Sequence, residues 1–225
     1  MTHMIKDRKR NSRYENVIWD WNGTLLNDIN LCIDVVNGLL VGHTNNYLDV
    51  GRYKNLFGFP VKDYYERIGI NFNKESFDEL AVRFISGYES QVRHCNLHEN
   101  AIEVLSLFQT KGIQQYILTA AHKESVLSLL DHYTIKNYFK EIEGLDNIKA
   151  ESKVNRGLEL MSNNEIRRDV TVLIGDTMHD FEVANELGVD CILIANGHQS
   201  KRRLIDKTQN EARVMDAIHQ LRNII

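Results

Sequence analysis

The sequence predicts an α/β fold, a Rossmann-like parallel-sheet core carrying an inserted, mostly helical cap domain. Three observations lead there. Four short, continuously apolar runs rich in β-branched residues read as strands buried on both faces. Segments of helical periodicity separate them, the alternation expected of a doubly wound sheet. Between about Asn27 and Leu97 that alternation lapses, and helical spacing alone remains.

The first strand is Val17-Ile18-Trp19, ending at Asp20. In the insertion that follows, Cys32, Val35, Val36, Leu39 and Leu40 have helical spacing, as do Phe77, Leu80, Phe84 and Ile85. Pro60, the only proline, follows Phe57-Gly58-Phe59 and marks a turn. The rhythm resumes with a helix from Ala101 to Phe108, stopped near Gly112, and a second strand, Tyr116-Ile117-Leu118, ending at Thr119. Val126, Leu127, Leu129 and Leu130 mark the next helix, and Val154 to Met161 another. The third strand, Val170 to Ile174, runs into Gly175-Asp176. A helix from Phe181 to Leu187 stops at Gly188. The last strand, Cys191 to Ile194, ends near Gly197. The expected division is a core over residues 14–26 and 98–225 and a cap over residues 27–97.

Bulk properties narrow the function. The chain has 225 residues, 43% hydrophobic and 26% charged, which suits one core with an insertion. A net charge of -4 leaves no basic footprint for nucleic acid. Lys6, Arg8, Lys9, Arg10 and Arg13 crowd the start and read as a solvated terminus, with a phosphate-binding arm as the alternative. No apolar stretch approaches the roughly 20 residues that span a bilayer, and no apolar run follows the basic start. Cys32, Cys95 and Cys191 lack metal-ligand spacing and read as reduced thiols, so a cytoplasmic setting is expected.

In a doubly wound sheet, ligands collect beyond the carboxyl ends of the strands. Asp20, Thr119 and Asp176 all fall there. A carboxylate at Asp20 can attack phosphorus or ligate a hard cation. Gly23 allows a tight turn beside an anion, and Thr24 supplies a hydroxyl. In Gly175-Asp176-Thr177-Met178-His179-Asp180, two carboxylates about one turn apart open a helix and can share a divalent ion. An N-cap aspartate explains one of them without any ligand. A lysine further on, Lys149 or Lys153, could pair with Thr119 to hold phosphoryl oxygens.

In this order the motifs resemble the haloacid dehalogenase superfamily: Asp-x-x-Gly-Thr, a strand-end Thr, a Lys before a helix, then Gly-Asp-x-x-x-Asp. The resemblance covers nearly the whole chain after about Tyr14. It implies that Asp20 becomes an aspartyl-phosphate and that Thr119 and the adjacent Ala120 contact the phosphoryl group with Gly23 and Thr24. It implies that Lys153, or alternatively Lys149, orients that group. Magnesium would be ligated by Asp20, Asp176, Asp180 and the carbonyl of Asn22. Phe57-Gly58-Phe59-Pro60 is similar to the cap turn of phosphoglycolate phosphatase-like members. The implied activity is a magnesium-dependent phosphohydrolase acting on a small phosphorylated metabolite.

One position departs from the pattern. Phosphatases of this superfamily usually carry a second aspartate two residues after the nucleophile, and here it is Asn22. An amide gives up no proton at neutral pH, where acid–base help is typically worth about 10²–10⁴-fold. Three explanations stand: a substrate with a good leaving group, a substitute group such as His122 or His179, or a phosphometabolite-binding protein with little turnover. A phosphonate hydrolase would need a cap lysine, and Lys62 is poorly spaced for it. The acids and Thr24 suit metal and phosphate better than a halide. Gly197-His198-Gln199-Ser200 reads as a surface loop. Arg52, Tyr53, Lys62, Tyr64, Tyr65 and Arg67 read mostly as amphipathic cap surface.

Overall fold

The computed structural model describes residues 14–145 and 153–224. Along the chain the strands are β1 (Asn16–Trp19), β2 (Leu26–Asn27), β3 (Asn96–Leu97), β4 (Gln114–His122), β5 (Glu141–Leu145), β6 (Thr171–Gly175), β7 (Asp190–Ile194) and β8 (Arg213–Met215). The helices are α1 (Ile29–Leu40), α2 (Val50–Leu56), α3 (Val61–Ile68), α4 (Phe77–Glu89), α5 (Ala101–Thr110), α6 (Lys123–His132), α7 (Lys153–Asn163), α8 (Met178–Leu187) and α9 (Lys201–Thr208).

Six strands form one sheet in the order β5-β4-β1-β6-β7-β8, every pairing parallel. Taken in chain order within the sheet this is 3-2-1-4-5-6, the doubly wound arrangement. The order reverses between β1 and β6. Asp20 and Asp176 therefore leave the sheet on either side of its switch point.

Alternation along each strand divides the core. Val17, Trp19, Ile117, Val172 and Ile174 pack on one face with Val104, Leu105 and Phe108 of α5 and Val126 and Leu130 of α6. Ile18, Tyr116, Leu118, Leu173 and Leu193 face the other way, against Leu160 of α7, Val183 and Leu187 of α8 and Leu204 of α9. Both faces of the central strands are dry, so their sequences are continuous apolar runs rather than alternating ones.

The expected strands appear as β1, β4, β6 and β7. β5 and β8 depart from expectation. Both lie at sheet edges, where only one side must be paired and polar residues are tolerated: Glu141 and Glu143 in β5, Arg213 in β8. The strand after Val189 is accordingly not the last. Thr119 is not at a strand end either, because β4 runs to His122 through an irregularity between Leu118 and His122.

β2 and β3 form a two-stranded antiparallel ribbon. Helices α1 to α4 lie between its strands and share a separate apolar cluster that includes Ile33, Val36, Leu40, Ile68 and Leu80. Tyr53, Tyr64 and Tyr65 are buried in that cluster, so the reading of these tyrosines as amphipathic surface is corrected. A serine-capped first turn starts α4, with Ser76 and Glu79 forming a reciprocal capping box. The turn at Phe59-Pro60 contains a cis peptide bond. No helix of the described residues is long and apolar enough to cross a membrane.

Candidate active site

β1 carries Asp20 to the carboxyl edge of the sheet, and its neighbours fix what surrounds it. Register sets Trp19 beside Ile174 of β6 and Ile117 of β4, and the Asp20 N–H donates to the Ile174 carbonyl at 2.8 Å. Asp180 lies one turn into α8 and closes its first turn. One of its oxygens accepts the N–H of Asp176 (3.2 Å), the N–H of Thr177 (3.0 Å) and the Thr177 hydroxyl (2.8 Å). Lys153, the first residue of α7, places Nζ 2.6 Å from Oδ1 of both Asp20 and Asp180. The Thr24 hydroxyl donates to Asp176 at 3.0 Å and stands 3.4 Å from Asp20. Carboxylate oxygens of Asp20, Asp176 and Asp180 lie within 4.8 Å of one another, all buried.

Two of the three carboxylates, Asp20 and Asp180, thus share one ammonium, while Asp176 faces His198. Burial, reinforced by the charge of Asp180, pushes the Asp20 carboxyl up to about 8. Burial raises Asp176 to about 6 despite the opposing charge of His198. For Asp180, burial is outweighed by Lys153, which holds it below the usual carboxylate range. Lys153 is raised because its two acids more than offset its own burial. The cluster is short of positive charge. Hard oxygen donors at this spacing fit a hard divalent cation, which would supply that charge.

Gly23 needs its missing side chain. Its φ is +74°, and a Cβ there would meet His198 Cδ2 at 2.4 Å and Asp176 Oδ2 at 2.5 Å. Gly197 is crowded in the same way, its Cβ position lying 2.2 Å from Asp176. Thr119 is buried, and its hydroxyl accepts the Ala121 N–H at 3.0 Å. No hydrogen bond joins it to the acids among the described residues. Ala120 and His122 are exposed beside it. His179 packs its ring on Phe59 at 4.7 Å and so turns toward the helical insertion. Lys62 is exposed above the Phe72 ring. Lys149 and the basic stretch from Lys6 to Arg13 lie outside the described residues. A cavity of about 530 Å³ bordered by Tyr14, Asp190 and Arg213 opens at the opposite end of the strands and holds none of these side chains.

The surface-loop reading of Gly197 to Ser200 is corrected. His198 is 4% exposed and Gln199 1%. The His198 N–H donates to Asp176, and its ring is held by Tyr53 Oη of α2 (2.9 Å) and by Asp28 Oδ1 (3.2 Å). Asp28, fully buried, also accepts the Gly23 N–H (3.0 Å), Asn22 Nδ2 (2.8 Å) and the Tyr88 hydroxyl of α4 (2.6 Å). Burial works to raise Asp28, but His198 and these donors hold it below the usual range. Burial likewise works to lower His198, yet Asp28 leads in raising it to about 9. Sequence reasoning missed Asp28, because an Asp directly before an apolar helix reads as an N-cap. It occupies that position in α1, but its carboxylate makes no capping bond.

A model of the haloacid dehalogenase-like hydrolase family matches residues 17–194. The chain belongs to that family. The match spans every strand end described above except that of β8. The chain is 25% identical over 200 residues to a 5'-nucleotidase of Pseudomonas aeruginosa, covering 85% of this chain and 87% of the relative. It is 23% identical to a phosphoglycolate phosphatase of Pseudomonas syringae pv. tomato, covering 91% of this chain and 77% of that one. Among solved structures, a phosphatase described as putative from Clostridium difficile superposes with a TM-score of 0.76 at 20% identity, over 94% of this chain and 98% of its own. As a member of this hydrolase family the chain is an enzyme, and phosphatase is the activity its relatives support.

Proposed function

We propose that this enzyme is a magnesium-dependent phosphatase that acts on a small phosphorylated metabolite through an aspartyl-phosphate at Asp20. The observation that carries the reading is the Asp20–Lys153–Asp180 bridge at the sheet's switch point, with Asp176 alongside. Asp20, Asp176 and the Asn22 carbonyl would hold magnesium, and Asp180 would ligate it or brace its waters. When bound, magnesium supplies positive charge to phosphoryl oxygens and favours the ionised form of Asp20.

Asp20 attacks phosphorus in line, and the bond from phosphorus to the leaving oxygen breaks. Lys153, Thr119 and the backbone amides near Gly23 and Ala120 stabilise the transferring group. Water then attacks the phosphorus of the aspartyl-phosphate, its bond to Asp20 breaks, and inorganic phosphate departs. Asn22 offers no transferable proton, so the leaving oxygen takes one from solvent. This favours groups that depart as stable anions, acyl phosphates above alkyl monoesters.

Helices α1 to α4, within residues 27–97, act as a cap. Tyr53 and Phe57 pack on His198, so α2 is seated directly over the strand-end loops. Closure excludes bulk water and selects the leaving part of the substrate. Cys32, Cys95 and Cys191 are free thiols, which supports a cytoplasmic setting.

The test is phosphate release with and without magnesium across acetyl phosphate, phosphoglycolate, nucleoside monophosphates and sugar phosphates. Release from at least one substrate, dependent on magnesium and reduced to background in Asp20→Asn, is expected. Full turnover in Asp20→Asn overturns the nucleophile assignment. No release from any of them favours a phosphometabolite-binding role.

A further inference from the structure

Asn22 occupies the position where an acid would serve proton transfer, yet its amide is already engaged. Nδ2 donates to Asp28 at 2.8 Å and lies 2.7 Å from the Tyr88 hydroxyl, which itself donates to Asp28 at 2.6 Å. Asp28 is 0% exposed. With the Gly23 N–H, the His198 ring and Cys32 Sγ at 3.8 Å, it collects five donors from four parts of the chain. A buried carboxylate requires such donors. An aspartate at position 22 would set a second ionised acceptor against it.

We infer that Asn22 and Asp28 are a matched pair. Asp28 is the positioning residue that fixes the nucleophile turn to both seats of the cap, and Asn22 is kept an amide by that carboxylate. The contacts define what the pair positions. Through Gly23, Asp28 holds the turn that follows Asp20, in which the Leu25 N–H donates to the Trp21 carbonyl. Through His198 it fixes the backbone N–H that holds Asp176, and, beyond the ring, Tyr53 of α2. Through Tyr88 it reaches α4. One carboxylate thereby joins the nucleophile turn, an acid of the proposed metal site and two cap helices. The missing acid at position 22 is therefore no simple loss. Restoring it alone breaks the joint.

The kinetic part of the test rests on the phosphatase reading; the stability part does not. The experiment is a cycle of wild type, Asn22→Asp, Asp28→Asn and the double exchange Asn22→Asp/Asp28→Asn, followed by thermal unfolding at pH 7.5 and by kcat and KM. Each single variant is expected to lose roughly 5–10 °C in Tm, since Asp28→Asn leaves the buried His198 without its counter-charge and Asn22→Asp sets two buried carboxylates against each other. The double exchange restores one carboxylate facing one amide and should recover at least half of that loss. In kinetics, the singles should fall at least about tenfold in kcat with KM changed far less, and the double should recover part of the kcat. An Asn22→Asp protein as stable as wild type, or single effects that simply add in the double, overturns the pairing. An Asn22→Asp enzyme faster than wild type also overturns it. A wild-type protein that releases no phosphate refutes the functional reading alone, because the Tm cycle still decides the pair.

Discussion

Lys153 stands 4% exposed between two carboxylates, 2.6 Å from each. Its long stem starts at the first turn of α7, and among the described residues its ammonium is the one cation paired with Asp20 and Asp180. Removing one member of a buried ionic group leaves the others uncompensated, at a cost of roughly 3–5 kcal/mol. Lys153→Ala should therefore lose stability of that order in urea unfolding at pH 7, and phosphate release should vanish. A stability loss under about 1 kcal/mol, the scale of an exposed pair, would show that water reaches this site. Gly23 and Gly197 set the opposite constraint. Where a Cβ would fall within 2.5 Å of Asp176, the backbone itself forms the wall of the site.

At the scale of elements, α2 carries contacts between the helical insertion and the core. Lys54 Nζ donates to the Asn196 carbonyl at 3.2 Å, the Ser200 N–H to the Lys54 carbonyl at 3.3 Å, and Gln199 Nε2 to the Phe57 carbonyl at 3.2 Å. Arg203 of α9 also donates to the Phe57 carbonyl. The Tyr53 hydroxyl, bonded to the His198 ring, is a buried member of this seam. Tyr53→Phe keeps the ring contacts with Phe57, Tyr64 and His198 and removes one hydrogen bond, worth about 0.5–1.5 kcal/mol. Amides of α2 should exchange several-fold faster in that variant while those of β1 and β6 stay protected, measured by hydrogen exchange. Unchanged exchange in α2 would mean that the other bonds of the seam hold α2 without the Tyr53 hydroxyl.

For the molecule as a whole, the site's charge imbalance enters the stability of the fold. The folded-state carboxyls of Asp20 and Asp176 are raised, to about 8 and about 6, against an unfolded value near 3.8. The folded protein then binds more protons than the unfolded chain over that interval, so their contribution is present below about pH 4 and lost as pH rises through 6 and 8. A divalent cation bound by the ionised acids opposes that loss. The Tm increase on adding magnesium should thus grow from pH 5 to pH 8, read by thermal unfolding with and without the ion. An increase that is flat across that range would place binding away from these two carboxylates.

The order of strands and helices was legible because the core strands are buried on both faces, which forces continuous apolar runs such as Val17-Ile18-Trp19 and Val172-Leu173-Ile174. The edges β5 and β8 were not, since one-sided pairing leaves Glu143 and Arg213 free to be polar. The acids at Asp20, Asp176 and Asp180, and Lys153 over Lys149 as one of two candidates, followed from motif order at strand ends. The structure brings Lys153 to Asp20 at 2.6 Å. What the sequence determined by itself was local: which residues alternate, which turns follow strands, and which charged groups open helices. Only the tertiary structure decided that Asn22, Tyr88 and His198 converge on Asp28, with Tyr53 behind the His198 ring. Their contacts span up to 170 residues of sequence, from Asp28 to His198, and burial rather than spacing makes them bind one another.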